Sequence, residues 1–133
     1  MPADGKRERT ADGEVTDALT YEVIGAAQKV HRALGPGFRE STYHKALGRE
    51  LILRRIPFES EREFEVFYEG TFCDTYRPDI VVDGTVIVEL KAATGTTAVD
   101  RLQTLSYLRA SGLHKALLLN FGAASPEVRR FTC

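Results

Sequence analysis

The sequence predicts an α/β domain in which a central β-sheet is covered by helices on both faces. Two early segments carry apolar residues at the three- and four-residue spacing of amphipathic helices. Short alternating or wholly apolar runs follow, separated by Glu-Gly and Asp-Gly turns, which is typical of β-strands. Runs that are apolar on both sides, such as residues 86–88, indicate a sheet that is buried on both faces.

The composition fits one globular domain and gives no strong sign of a partner. The chain has 133 residues, of which 43% are apolar and 28% charged. The formal net charge of −1 provides no overall basic field, which counts mildly against a nucleic-acid partner. Cys73 and Cys133 lack metal-ligand spacing and are expected to be free thiols. With no membrane-spanning run and a charged N-terminus, the sequence predicts a cytoplasmic protein without a membrane partner.

The chain is expected to divide into a flexible tail and a single folded domain. Residues 1–17 are polar and mixed in charge sign, whereas residues 18–133 carry the periodic patterns. The first helix is predicted over residues 20–34. It should end there because Gly35 favours a helix terminus and Pro36 prevents continuation.

The remaining elements are predicted from the change of period along the chain. They are a helix over residues 40–54, strands over 64–68, 72–76, 80–82 and 86–91, a helix over 98–110, and a buried strand over 116–121. Leu102, Leu105 and Leu108 are expected to face inward from the third helix. One further helical turn is expected around residues 126–130.

One predicted strand combines apolar character with charge. Glu89 and Lys91 interrupt an apolar run, where charges are costly unless they are paired or bind a metal. Because they are two residues apart, both point to one face of the strand, while Leu90 points to the other. A buried ion pair without chemistry would explain an isolated Glu-x-Lys, but Pro78-Asp79 one short hairpin upstream favours a functional site.

The length of the intervening turn decides whether Asp79 shares this face. A two-residue loop of Asp83 and Gly84 would place Asp79 and Glu89 on opposite faces. A three-residue loop over residues 82–84 would place Asp79 on the same face as Glu89 and diagonal to it. A functional site therefore predicts an odd-numbered loop or a β-bulge.

Two carboxylates and an ammonium on one face suit metal-assisted phosphodiester hydrolysis. Asp79 and Glu89 would offer hard oxygen ligands to Mg²⁺ or Mn²⁺. Such an ion polarises a phosphodiester and lowers the pKa of a bound water. Lys91 would orient that water and stabilise charge on the phosphorus.

These residues resemble a known superfamily. The resemblance rests on two ordered motifs, Pro78-Asp79 with Glu89-x-Lys91 and Gly37-x-x-Glu40-x-x-Tyr43. The first resembles the motif of the PD-(D/E)xK nuclease superfamily, and the second resembles the signature of the GxxExxY family within it. The resemblance covers about residues 19–130. It implies a restriction-endonuclease-like fold with an αβββαβ core, whose central mixed sheet is flanked by helices.

The resemblance also implies roles for individual residues. The implied metal ligands are the carboxylates of Asp79, Glu89 and Glu40 and the carbonyl of Leu90. Lys91 would be the catalytic lysine, and Gln103 would lean from the third helix to contact water or substrate. Two positions depart from the expected pattern, because Asp100 stands where relatives have His or Glu and Glu61 where they often have Gln.

Other candidate residues have simpler interpretations. Tyr43 and Tyr107 each fall on an apolar helical stripe, so core packing is expected ahead of catalysis for both. The three histidines, His31, His44 and His114, lack metal-ligand spacing and are expected to be structural or surface residues.

The predicted function is Mg²⁺-dependent, or Mn²⁺-dependent, hydrolysis of nucleic-acid phosphodiester bonds, with DNA favoured over RNA. The same fold could instead serve as a catalytically silent module that binds nucleic acid or protein, or as an accessory subunit that needs another chain. Cutting both strands of a duplex requires two sites, so a homodimer is a further hypothesis. The fold alone does not identify the substrate.

Overall fold

The structure is a computed structural model that describes residues 7–9 and 15–133, with side chains from Asp17 onward. Strands β1 (Arg7–Arg9) and β2 (Val15–Asp17) pair as an antiparallel ribbon. The rest of the expected N-terminal tail lies outside the described residues, so its flexibility stays a prediction. None of the helices in the described part of the chain combines the length and the apolar character needed to cross a bilayer.

Two helices follow the ribbon and lie within two residues of their predicted bounds. Helix α1 spans Ala18–Leu34, and the side chain of Asp17 caps it by accepting the N–H of Thr20 at 2.9 Å. It ends at Gly35, whose φ of 70° lies in the region that glycine tolerates. Helix α2 spans Glu40–Leu53.

Seven further strands lie in the described part of the chain. In chain order they are β3 (Phe58–Ser60), β4 (Phe64–Tyr68), β5 (Thr71–Tyr76), β6 (Ile80–Val82), β7 (Val86–Lys91), β8 (Lys115–Asn120) and β9 (Glu127–Thr132). Five of them form one sheet in the order β3-β6-β7-β8-β9, in which β7 and β8 are parallel and the other pairs antiparallel. Strands β4 and β5 form a separate hairpin.

The five-stranded sheet is covered on both faces. The residues of α1 and α2 that pack on one face include Val23, Ala27, Tyr43, Leu47 and Leu51, and they meet Ile80, Val82, Val88, Leu90, Leu117 and Leu119 of the sheet. Helix α3 (Ala98–Ser111) connects β7 to β8 and packs on the opposite face, where Leu108 meets Ile87 and Ala116. The predicted central mixed sheet flanked by helices is therefore confirmed.

Three details differ from the sequence prediction. The short strand β3 was not predicted, although it forms an edge of the sheet. The helical turn expected around residues 126–130 is wrong, because this segment is strand β9, which hydrogen-bonds along β8 and packs Val128 and Phe131 onto opposite faces. The inward orientation expected for Leu102 is also wrong, since its side chain is 61% exposed while Thr104 and Leu108 form the buried stripe of α3.

Candidate active site

The turn between β6 and β7 sets the geometry of the candidate site. Val82 pairs with Val86, so the loop contains the three residues 83–85. Asp83 and Gly84 both adopt positive φ, of 52° and 64°, which Asp-Gly sequences tolerate in tight turns. The predicted odd-numbered loop is confirmed, but it begins one residue later than the expected 82–84.

This difference brings Asp79 closer to Glu89 than expected. Ile80 pairs with Val88, and one step further along the same register Asp79 stands directly opposite Glu89 instead of diagonal to it. The side chains of Asp79 and Glu89 therefore point to the same face of the sheet as Ile87, whose side chain packs toward α3. The backbone N–H of Asp79 donates to Glu89 Oε2 at 2.6 Å, and the backbone N–H of Leu90 donates to Asp79 Oδ2 at 2.8 Å. Each carboxylate has a second oxygen outside these two hydrogen bonds.

Burial raises the pKa of both carboxyl groups. Glu89 is only 5% exposed, and its burial together with the charge of Asp79 raises its pKa to about 8. Burial also raises the pKa of Asp79, although the N–H of Leu90 opposes that effect. A cation between the two side chains would favour their charged forms, because opposite charge offsets both the desolvation and the mutual repulsion.

Lys91 lies on the same face of β7 as Glu89 and forms an ion pair. Its Nζ is 3.7 Å from Asp100 Oδ1 at the start of α3. Asp100 also forms a reciprocal capping box with Thr97, and the N–H of Thr97 is the main cause of its lowered pKa, with Lys91 adding to it. Asp100 therefore ties the catalytic-lysine candidate to the N-terminus of α3.

Glu40 begins α2 and lies across a small cavity from Asp79. The cavity has a volume of about 240 Å³ and is lined by Glu40, Ser41, His44, Asp79 and Leu90. Partial desolvation raises the pKa of Glu40, and the charge of Asp79 adds to this effect while Lys91 opposes it. Glu40 and Leu90, two of the predicted ligands, thus share a cavity with the carboxylate of Asp79.

His44 lies nearer to the candidate site than its sequence context indicated. It lines the same cavity as Glu40, one helical turn further along α2, and its Nε2 is 3.1 Å from Ser60 Oγ. Its electrostatic interaction with Asp79 opposes the rise in the pKa of that carboxyl that burial causes. The four-residue spacing from Glu40 places both side chains on one helical face, and this spacing is the sequence signal that could have identified His44.

Gln103 lies on α3, in a cavity that contains neither Asp79 nor Glu89. Its exposed side chain lines a cavity of about 380 Å³ together with Tyr76 and Tyr107. Tyr107 packs edge-to-face on Tyr76 with ring centroids 5.8 Å apart. Burial and the charges of Glu89 and Asp79 raise the pKa of Tyr107 to about 12, so its hydroxyl stays protonated at neutral pH.

Tyr43 is a core residue, as expected. Its side chain is fully buried and stacks on Phe121 with ring centroids 4.7 Å apart. Its hydroxyl donates to the carbonyl oxygen of Gly35 at 2.5 Å and accepts the N–H of Phe38 at 3.2 Å. Tyr43 therefore braces the loop that leads to Glu40. His31 is also a packing residue, since it is 5% exposed and its Nε2 lies 2.9 Å from the carbonyl oxygen of Ala123.

A buried amide holds the end of β7 that carries Lys91. Asn120 Oδ1 accepts the backbone N–H groups of Ala93 and Gly122, at 3.0 and 3.1 Å. Its Nδ2 donates to the carbonyl oxygen of Ala93 at 2.9 Å. Gly122 passes so close to Ala93 that a Cβ at this position would overlap the backbone of Ala93. We call these contacts of Asn120 and Gly122 with Ala93 the Ala93 clasp. Sequence reasoning missed it, because Asn120 and Ala93 are 27 positions apart.

The chemical type of the available ligand atoms suits a hard divalent cation. Carboxylate and carbonyl oxygens are the ligands that Mg²⁺ and Mn²⁺ prefer, and Mg²⁺ keeps several waters, so few protein ligands suffice. Among residues 17–133, no three His, Cys, Asp or Glu side chains converge as a complete metal cage. The residues that fit the ion are the facing carboxylates of Asp79 and Glu89. Glu40 and Leu90 line the cavity that Asp79 also lines.

Comparison with known proteins defines the class of this protein. A family profile described as the PD-(D/E)XK nuclease superfamily matches residues 17–131. The chain therefore belongs to the PD-(D/E)XK nuclease superfamily, and its mixed sheet flanked by helices is the restriction-endonuclease-like fold.

A solved structure supports the fold. The crystal structure of SSO0001 is similar to this chain with a TM-score of 0.54 at 18% sequence identity, over 69% of this chain and 48% of that protein. The chain thus spans about half the length of SSO0001, and the likeness concerns the fold alone. None of the curated proteins matches this chain significantly in sequence.

Proposed function

We propose that this protein is a metal-dependent nuclease that hydrolyses phosphodiester bonds of nucleic acid, with Mg²⁺ or Mn²⁺ as its cofactor. The observation that carries the proposal is the direct opposition of two buried carboxylates, Asp79 and Glu89, with Lys91 on the same face. Membership of the nuclease superfamily supports nucleic acid as the substrate class.

The proposed roles follow from the chemistry of each side chain. Asp79 and Glu89 would hold the ion, and Glu40 and the Leu90 carbonyl would add ligands directly or through water. When bound, the ion supplies a Lewis acid and lowers the pKa of a coordinated water. Lys91 would orient the attacking water and stabilise negative charge on the phosphoryl oxygens.

Residues around the pair would position this machinery. Asp100 forms an ion pair with Lys91 and so limits where the ammonium can point. The backbone N–H groups of Asp79 and Leu90 fix one oxygen of each carboxylate, which leaves the other free to face the ion. Gln103 would contact water or substrate from the adjoining cavity, a role that its exposed position supports.

The proposal extends to the family, the type of nucleic acid, the cellular location and the oligomeric state. Assignment to the GxxExxY family is supported by Glu40 at the cavity and by Tyr43, which braces the preceding loop. We propose DNA ahead of RNA as the substrate, action in the cytoplasm, and a homodimer where both strands of a duplex are cut.

A catalytically silent binding module is the second candidate. It is favoured by the hydrogen bonds that Asp79 and Glu89 already make to backbone N–H groups, which give both carboxylates a structural role without metal. Calorimetric titration with Mg²⁺ and Mn²⁺ separates the candidates, because a silent module would show no affinity that depends on Asp79 or Glu89.

The experiment that tests the proposal is a cleavage assay with labelled single- and double-stranded DNA and RNA, in Mg²⁺ or Mn²⁺. Wild type should cleave at least one substrate, chelation by EDTA should stop cleavage, and Lys91→Ala should lower the rate by about 10²-fold or more. The control Arg109→Gln removes an exposed cation from the last turn of α3 and should leave the rate unchanged. Absence of cleavage with all four substrates would contradict the proposal, as would cleavage that survives Asp79→Ala, Glu89→Ala and Lys91→Ala.

A further inference from the structure

A second groove adjoins the candidate active site, and we call it the α2 groove. It lies between α2 and the edge strand β3 and has a volume of about 500 Å³. The residues that matter for its chemistry are His44, Lys45, Gly48, Arg49, Ile52 and Phe58. His44 and Ser41 line both this groove and the cavity that holds Asp79. The α2 groove therefore continues directly from the candidate active site.

The floor of the α2 groove is apolar. Phe58 approaches α2 so closely that a Cβ on Gly48 would lie 3.3 Å from its Cζ, so glycine permits the close approach. Ile52 leaves 56% of its surface exposed at the same place. An exposed aliphatic side chain beside an aromatic ring offers a surface on which a flat apolar group can rest.

The rim of the α2 groove is cationic. Lys45 and Arg49 are exposed and stand one helical turn apart on α2. Within residues 17–133 neither forms an ion pair, whereas Arg54, just after the end of α2, binds Glu50 and Glu22. Like charges at this spacing repel each other, so a bound anion would relieve the repulsion. Glu61 is the one acidic side chain among the lining residues.

We propose that the α2 groove binds an unpaired stretch of the substrate strand next to the scissile phosphate. Lys45 and Arg49 contact its phosphates, and a base or sugar rests on Ile52 and Phe58. A duplex keeps its bases in its own stack and presents mainly phosphates, so an apolar floor beside a cationic rim selects a single strand. This inference rests on the proposed nuclease function, because the groove extends from that site.

Binding of fluorescein-labelled oligonucleotides, measured by fluorescence anisotropy, tests the inference. The probes are single-stranded DNA, single-stranded RNA and a matched DNA duplex, and Lys91→Ala in EDTA is the background so that the probes stay intact. The test variant is Lys45→Gln/Arg49→Gln. The matched control, Arg32→Gln/Arg109→Gln, loses the same charge at two exposed arginines that line neither cavity.

The test variant should bind single strands about tenfold or more weakly than the control, and its salt dependence should fall by about 1.4 in log–log slope, or 0.7 per phosphate contact. Ile52→Asn should weaken single-strand binding while leaving duplex binding unchanged. Thermal denaturation of each variant verifies that the fold is intact. Use of DNA and RNA probes in parallel identifies which of the two the groove prefers.

The outcomes separate this inference from the proposed function. If wild type cleaves nucleic acid but the test variant binds single strands as well as the control does, the inference is overturned and the nuclease proposal stands. If single-strand binding requires Lys45 and Arg49 but wild type cuts no substrate, the nuclease proposal falls, and with it the placement next to a scissile phosphate, while the groove remains a single-strand binding site. If Ile52→Asn weakens duplex and single-strand binding equally, selection of unpaired strands is overturned.

Discussion

Asp79 and Glu89 face each other across the β6–β7 hairpin, and each carboxylate accepts a backbone N–H from the opposite strand, at 2.6 Å for the Asp79 N–H and 2.8 Å for the Leu90 N–H. This reciprocal arrangement fixes both acids before any ion binds. It also holds two carboxylates together in a largely buried place, where the charged forms are unfavourable. The same feature that would prepare a metal site therefore costs stability in the metal-free protein.

The first prediction concerns pH. The pKa of Glu89 rises from 4.5 to about 8 on folding, so between these values the folded state holds a proton that the unfolded state has lost. Stability of the metal-free protein should therefore fall as pH rises through this window, with Glu89 contributing at most about 1.4 kcal/mol per pH unit, and level off above it. Asp79 acts in the same direction, while Lys91 opposes it.

Melting temperatures in EDTA across this pH range measure the effect. Glu89→Gln keeps an acceptor for the Asp79 N–H and removes the titration, so its melting temperature should fall less with pH than that of wild type. Added Mg²⁺ should flatten the wild-type profile, because the ion favours the deprotonated carboxylates. Parallel profiles for wild type and Glu89→Gln would show that Glu89 does not titrate as described.

The second prediction separates metal binding from the chemical step. Asp79→Ala and Glu89→Ala should each weaken Mn²⁺ binding by about tenfold or more, since losing even an outer partner of a ligand costs that much. Lys91→Ala should bind Mn²⁺ at least as well as wild type, because it removes a positive charge near the ion. Isothermal titration calorimetry measures all three. Equal affinity in wild type and Asp79→Ala would mean that the ion binds elsewhere.

The third prediction assigns Tyr43 to stability. Tyr43→Phe keeps the stacking on Phe121 but leaves the carbonyl of Gly35 and the N–H of Phe38 without their partner. The free energy of unfolding should fall by about 1–3 kcal/mol. Urea denaturation measures the loss, and Tyr68→Phe is the control because Tyr68 is 72% exposed. A loss of cleavage in Tyr43→Phe without a loss of stability would instead assign Tyr43 to catalysis.

The fourth prediction tests the Ala93 clasp, the contacts of Asn120 and Gly122 with Ala93 after the end of β7. Gly122→Ala would push a methyl group into the backbone of Ala93 and should destabilise the protein by about 3 kcal/mol or more. Gly95→Ala is the control, since a Cβ there meets nothing within 4 Å and its φ is ordinary. Denaturation curves for the two variants should differ clearly. A Gly122→Ala protein as stable as Gly95→Ala would show that the close approach to Ala93 is not required.

Local signals in the sequence were sufficient for the main elements. The first two helices could be placed because Gly35 and Pro36 end one of them and apolar stripes define both. The charged pair on β7 could be recognised because carboxylate and ammonium groups stand out in an apolar run. Parity then gave the odd-numbered loop, because only that choice puts Asp79 and Glu89 on one face.

The features that could not be predicted depend on distant contacts. Asp-Gly fits either of two adjacent three-residue loops, so local sequence could not decide whether Asp79 faces Ile87 or Glu89. Strand β3 has three residues and no buried stripe, and it forms because β6 offers a free edge. The pairing of Lys91 with Asp100 appears only once α3 has packed on the sheet.

The most direct measurement of the central claim is the position of a bound ion. Crystals grown with Mn²⁺ and measured at the manganese absorption edge would show it by anomalous scattering. We expect a peak at about 2.1 Å from carboxylate oxygens of both Asp79 and Glu89, close to Lys91. Crystals saturated with Mn²⁺ that show no peak between these two side chains, while the β6–β7 hairpin keeps its register, would contradict the account.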